Sequence, residues 1–146
     1  MGGENAVRLK QPRRIGRSIM ALAAGFVVNV FLSLATDFAL SALGILPSIG
    51  HEAMNDTQSL LAAAYRTLYG VISSYVVARL APYAPMGHAL TGAAIGMVLA
   101  TAGAVATWNQ GLGPHWYALS LVVTALPAAW VGGKLGARDW EITRNA

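Results

Sequence analysis

The feature that most constrains this chain is the absence of any Asp, Glu, Lys or Arg between Arg79 and Lys134. A stretch of that length holds two membrane spans of roughly 20 residues each and the turn that joins them. Soluble domains carry about 25% charged residues, whereas this chain of 146 residues has 11% charged and 55% hydrophobic residues. The sequence therefore predicts an all-α membrane protein with one domain.

Two further apolar stretches precede this region. One begins at Ser18 and contains Asp37 as its single charge, and the other begins near Ser59 and contains only Arg66. We therefore predict a four-transmembrane-helix bundle made of two antiparallel hairpins, with turns rich in Pro and Gly. The predicted spans are 18–46, 59–79, 87–107 and 115–136, within a transmembrane domain of residues 18–137. Residues 1–17 form a basic N-terminal arm, and residues 138–146 form a short tail.

The basic residues predict the orientation, because Lys and Arg accumulate in cytoplasmic segments. Nine of them precede the first span, close the second or follow the fourth, and none lies in the other two loops: Arg8, Lys10, Arg13, Arg14, Arg17, Arg79, Lys134, Arg138 and Arg144. Both termini are therefore expected in the cytoplasm. The net charge of +4 is then explained by a lipid bilayer with anionic headgroups, and no nucleic acid partner is expected.

The N-terminus has one alternative interpretation, a cleavable signal peptide. Arg13, Arg14 and Arg17 precede an apolar segment that ends with the small residues Ser33 and Ala35. The apolar segment is longer than the roughly 7 to 15 residues typical of signal peptides, which favours a retained first span.

Two charged residues inside the spans, Asp37 and Arg66, form the candidate intramembrane polar site. Ionisable groups at membrane depth are costly and are usually paired or hydrated. The helical rise places the two residues at levels that the long arginine side chain can bridge. Asn29 and Ser33 share a face with Asp37 at four-residue spacing, and Tyr69 shares a face with Arg66.

Three roles for this site remain open at this point. The first is a buried network that fixes the register of the helices. The second is a solvent-accessible site for transport, in which Asp37 titrates. In the third, Asp37 faces the outer headgroups while Arg66 pairs with Glu52, Asp56 or lipid phosphate.

Glycine pairs at four-residue spacing occur in the last two spans, Gly92 with Gly96 and Gly132 with Gly136. Helices in lipid associate through small residues that let their backbones approach closely. Both pairs are therefore predicted helix-packing positions, either within one chain or between copies of it.

No catalytic motif is found. His51 and Glu52 begin a zinc-protease pattern, but position 55 is Asn55 where that pattern needs a second histidine. His51, Glu52, Asp56 and His115 lack the fixed spacing of a metal site. The sequence has no phosphate-binding glycine loop and no nucleophile elbow. We therefore expect no enzymatic activity, no metal and no cofactor.

Four motifs resemble those of small bacterial membrane proteins with four transmembrane helices, over roughly residues 60 to 137. They are the segment from Tyr65-Arg66 to Ala81-Pro82, then Gly87-His88-Ala89-Leu90, Pro114-His115-Trp116-Tyr117 and Leu126-Pro127-Ala128-Ala129-Trp130. The resemblance implies a multi-pass protein of the bacterial inner (cytoplasmic) membrane and no particular activity.

Assembly is the function that we expect first, as a homo-oligomer or as an accessory subunit of a membrane complex. Four helices enclose little interior, which favours self-association or a partner. The alternative is a small transporter or channel with an Asp37/Arg66 polar site, favoured by the polar face of the first span and by Pro127 within the fourth.

Overall fold

Four α-helices make up the computed structural model, which describes residues 15–47 and 52–145. They are α1 (Ile15–Ala42), α2 (Asp56–Leu80), α3 (Pro85–Thr107) and α4 (His115–Asn145). No strand occurs in these ranges. Each helix is long and apolar enough to cross a membrane. The predicted all-α bundle with four potential membrane spans is therefore confirmed, while most of the predicted basic arm lies outside the described residues.

The first helix ends earlier than the predicted limit at residue 46. Gly44 adopts a positive φ of 70°, a conformation that glycine reaches without the steric penalty of a Cβ atom. The amides of Gly44 and Ile45 then bond back to the carbonyl groups of Ser41 and Leu40. These bonds satisfy the last turn of α1 and direct the chain out of the helix.

Local sequence also explains where the next two helices begin. Asn55 and Gln58 form a capping box at the start of α2, in which each side chain accepts from the other residue's backbone N–H. This arrangement satisfies two otherwise unpaired donors of the first turn. α3 begins with Pro85, whose fixed φ suits the first helical position.

The fourth helix continues beyond the predicted limit at residue 136, so the predicted tail is helical as far as Asn145. Its extension is bonded to the end of α2. The indole N–H of Trp140 donates to the carbonyl oxygen of Ala81 at 2.9 Å, and Arg79 donates to the hydroxyl of Thr143 at 2.8 Å. The polar residues after position 136, which in the sequence indicated a tail, include those that make these tertiary contacts.

Gly132 and Gly136 pack directly on the backbone of α2, and we call this contact the glycine seam. A Cβ atom at Gly132 would meet the carbonyl group of Val71. One at Gly136 would lie 2.6 Å from the carbonyl oxygen of Tyr75 and 2.8 Å from the Cβ atom of Ala78. Both glycines are buried. Because neither has a Cβ atom, the two helices approach to backbone contact.

The glycine pair of α3 is placed differently. A Cβ atom at Gly92 would lie 3.3 Å from Leu22 of α1, whereas nothing lies within 4 Å of the same position at Gly96. The close contact between α3 and α4 is made instead by Gly133, whose Cβ position is 2.8 Å from that of Ala89. Equal spacing in the sequence therefore corresponds to unequal packing.

Helix α1 lies against α2 and touches α3, whereas in the described ranges its backbone is not adjacent to that of α4. Gly25 of α1 is buried against Val77 of α2. Toward the beginning of α1 and α3, a ring nitrogen of His88 lies 2.9 Å from the hydroxyl oxygen of Ser18. The two helices are joined there, and the space between them is open farther along.

Replacing Gly132 with alanine should lower the free energy of unfolding by about 1 to 3 kcal/mol, the usual effect of overpacking, because the methyl group would meet the backbone of α2. Gly96→Ala is the matched control, since its Cβ position is free; alanine there favours the helix by up to about 1 kcal/mol. Thermal unfolding in one detergent measures both effects. Equal stability of the two variants would contradict the glycine seam.

Candidate functional site

A cavity of about 720 Å³ lies between α1 and α3 and is lined by residues of all four helices. Its volume falls in the range of roughly 300 to 1,000 Å³ that small-molecule sites occupy. Along α1 it extends from Ile19 to Asp37, which corresponds to about 27 Å of helix. We refer to this cavity as the cleft.

The cleft has an apolar part and a polar part. Near the contact between α1 and α3 its wall is formed by Leu22, Phe26, Val77 and Ala89. Toward Asp37, α1, α2 and α4 contribute polar side chains, which are Asn29, Ser33, Asp37, Arg66, Thr67 and Thr124. Ser73 and Ser74 of α2 also line the cleft, nearer to its apolar part. Polar residues inside a membrane usually face a protein interior or a water-filled cavity, and here they surround one continuous space.

Asp37 and Arg66 form a direct ion pair at the polar end of the cleft. A guanidinium nitrogen of Arg66 lies 2.6 Å from one carboxylate oxygen of Asp37, and the Tyr65 hydroxyl donates to the other oxygen. The side chains are 14% (Asp37) and 34% (Arg66) exposed. Arg66 therefore pairs with Asp37 and not with Asp56, which accepts from the indole N–H of Trp116.

Aromatic and hydroxyl groups extend this pair into a network. The hydroxyl oxygens of Tyr69 and Thr36 are 2.7 Å apart, and the Tyr65 and Tyr69 ring centroids are separated by 5.7 Å. Arg66 also lies 5.9 Å from the ring centroid of Tyr117. Tyr69 thus reaches α1 through Thr36, which the four-residue spacing around Asp37 did not reveal.

Two buried atoms of the cleft have no hydrogen-bond partner in the described part of the chain: the amide oxygen of Asn29 and the Nε atom of Arg66. An unsatisfied buried donor or acceptor costs about 1 to 3 kcal/mol. One atom is an acceptor and the other is a donor. Both atoms lie within the wall of the cleft and are not accessible from its interior.

The other predicted positions are distributed over the bundle. Gly92 and Gly96 line the cleft, and so reduce the bulk of its wall. His88, which sequence analysis did not include in the site, connects α3 to α1 and is buried. His115 stacks on Trp108 with ring centroids 4.2 Å apart. His51 lies outside the described residues, and within them no group of three His, Asp or Glu side chains is placed to hold a metal.

Comparisons with models of protein families, with curated proteins and with solved structures give no match. The geometry of the cleft is therefore the feature of this protein that indicates a function. That geometry combines an ion pair, a wall of polar side chains and an apolar extension inside one bundle of helices that are long and apolar enough to cross a membrane.

Asp37→Asn and Arg66→Gln are each expected to lower thermal stability, because each leaves the partner's charge without its counter-ion. The double variant should be less destabilised than the sum of the two, with a coupling energy on the order of 1 to 3 kcal/mol. Thermal unfolding of the wild type, the two single variants and the double variant in one detergent measures the coupling energy. Additive effects would show that the contact contributes nothing to stability.

Proposed function

We propose that the protein binds a small polar molecule in the cleft and works as a small transporter. The observation that carries this proposal is the set of polar side chains from three helices around one cavity, at the depth of the membrane spans. If lipid chains or an apolar helix filled the cleft, the polar side chains that line it would face a medium of low dielectric constant. A polar ligand pairs with them instead.

The ion pair also provides a means of coupling transport to protons. While Asp37 is ionised it occupies Arg66, so the guanidinium is neutralised. Protonation of the carboxylate removes that counter-ion and leaves Arg66 to bind an anionic group of the substrate. Acidic side chains inside membranes serve as proton relays in carriers. This mechanism requires no covalent step, metal or cofactor.

For the membrane topology, we propose two antiparallel hairpins with both termini in the cytoplasm of a bacterium. Contacts support the hairpins: residues 25 and 37 of α1 lie against residues 77 and 66 of α2, and Trp108 stacks on His115 across the connection from α3 to α4. The orientation rests on the basic residues at one end of the bundle. The bacterial inner membrane rests on the resemblance described above.

The chain contains no cysteine, so single cysteines test this topology without background. Asn109→Cys is expected to react with a membrane-impermeant maleimide in intact cells, because it lies in the connection between α3 and α4. Arg138→Cys should react only after the membrane is made permeable. Both residues are exposed, so accessibility to the reagent is otherwise equal. The opposite labelling pattern would reverse the orientation.

Asn29→Leu separates ligand binding from stability. The buried amide oxygen of Asn29 has no partner among the described residues, so leucine should leave thermal stability unchanged or raise it by about 1 kcal/mol. The same substitution removes a polar side chain from the lining of the cleft, and so should weaken the binding of a polar ligand. Thr101→Val is the matched control, because its hydroxyl bonds within its own helix to Met97 and lies outside the cleft.

Native mass spectrometry of protein extracted gently from its own membrane provides the measurement. The wild type and Thr101→Val should retain one small molecule, and Asn29→Leu should lose it. Flux of that molecule into liposomes should then depend on pH and disappear with Asp37→Asn. Equal retention by Asn29→Leu, or no retained molecule in any of them, would refute binding in the cleft.

Assembly is the second candidate, and the open side of the cleft favours it. Because the backbones of α1 and α4 are not adjacent within the described residues, we infer that a helix of a second copy or of another membrane protein has space beside α1 and α3. The same mass spectra distinguish the two candidates. A homo-oligomer or a stoichiometric second protein without a small molecule would support assembly.

A further inference from the structure

Arginines of three different helices meet at the end of the bundle where α1 begins and where α2 and α4 end. A cavity of about 330 Å³ is lined there by Arg17 of α1, Arg79 of α2 and Arg144 of α4. Trp140 and Thr143 complete its polar wall. The three arginines are far apart in the sequence, so the pocket is a product of the fold. We call it the arginine pocket.

The extension of α4 holds two of these arginines in place. Arg79 donates to the Thr143 hydroxyl at 2.8 Å. The guanidinium of Arg144 lies 4.9 Å from the ring centroid of Trp140, and the indole of Trp140 is itself bonded to Ala81. Positioning the cations before a ligand arrives reduces the entropy lost on binding.

None of the three arginines forms an ion pair with a carboxylate of the described residues. In the ranges 15–47 and 52–145 the single ion pair is that of Arg66 with Asp37, so none of the three guanidinium groups has a carboxylate within 4 Å. Asp139, which lies on the extension of α4, accepts from the hydroxyl of Tyr75. The ends of α2 and α4 carry only about half a negative charge each.

We propose that the arginine pocket binds a phosphate group, such as that of an anionic lipid headgroup. Guanidinium groups present planar pairs of donors that match phosphate oxygens. Basic pockets between membrane helices bind phosphate-bearing headgroups. Leu80 and Pro82 add apolar surface to the same wall, which suits the beginning of an acyl chain. Free phosphate offers the same oxygens without that chain.

The purified full chain in a neutral detergent tests the proposal with three probes: phosphatidylglycerol, zwitterionic phosphatidylcholine and inorganic phosphate. Native mass spectrometry and thermal unfolding record binding. Saturable binding of phosphatidylglycerol, at least tenfold tighter than that of phosphatidylcholine, is the expected result and assigns a lipid headgroup. Equally tight binding of inorganic phosphate assigns a soluble phosphate instead. Binding of neither anion overturns the proposal.

Variants locate the binding. Arg17→Gln and Arg144→Gln should each weaken it about tenfold, since each removes charge-assisted hydrogen bonds to the phosphate. Lys134→Gln and Arg138→Gln each remove one positive charge from α4, the helix that carries Arg144, but both residues lie outside the pocket. The affinity of these two variants for phosphatidylglycerol should therefore change less than twofold. An equal loss in all four variants would mean a diffuse surface charge and would overturn the pocket.

Discussion

Helices in a lipid bilayer gain little from burying apolar side chains against one another, so the bundle depends on close approach of their backbones. The glycine seam between α4 and α2 provides that approach. At Gly132 and Gly136 the backbone of α2 occupies the space where side chains would otherwise stand. The hydrogen bonds from Tyr75 to Asp139 and from Trp140 to Ala81 continue the same contact. With α2 and α4 joined in this way, α1 and α3 lie on either side of the cleft.

Much of this architecture could be predicted from the sequence, because a membrane span is a property of composition over about 20 residues. Which helices pair could not be predicted, since this depends on which glycines lie against the backbone of a neighbouring helix. Gly92 and Gly96 have the same spacing as Gly132 and Gly136. Yet nothing lies within 4 Å of the Cβ position of Gly96, whereas Gly136 contacts the backbone of α2. Spacing identifies candidates for packing, and only the three-dimensional arrangement distinguishes them.

The candidate site likewise has some features that the sequence predicts and others that it does not. The levels of Asp37 and Arg66 follow from the helical rise, and the structure places the two side chains in contact. Thr36 and His88 contribute contacts that no spacing rule indicated, because each faces a helix distant in sequence. The cleft itself could not be predicted, since its shape depends on how α1 and α3 are arranged. The two helices are in contact near their first residues and are farther apart toward Asp37.

The order of the helices along the chain has a consequence for biosynthesis. The partner of α2 is α4, and Tyr75 and Asp139 are separated by 64 positions. At about 5 to 20 residues per second, a ribosome needs on the order of 3 to 13 s to add that length, during which α2 lacks its principal neighbour. Arg66 has its counter-ion during this interval, because Asp37 belongs to α1, which is synthesised before α2. The charge on the nascent second helix therefore enters the membrane after its counter-ion.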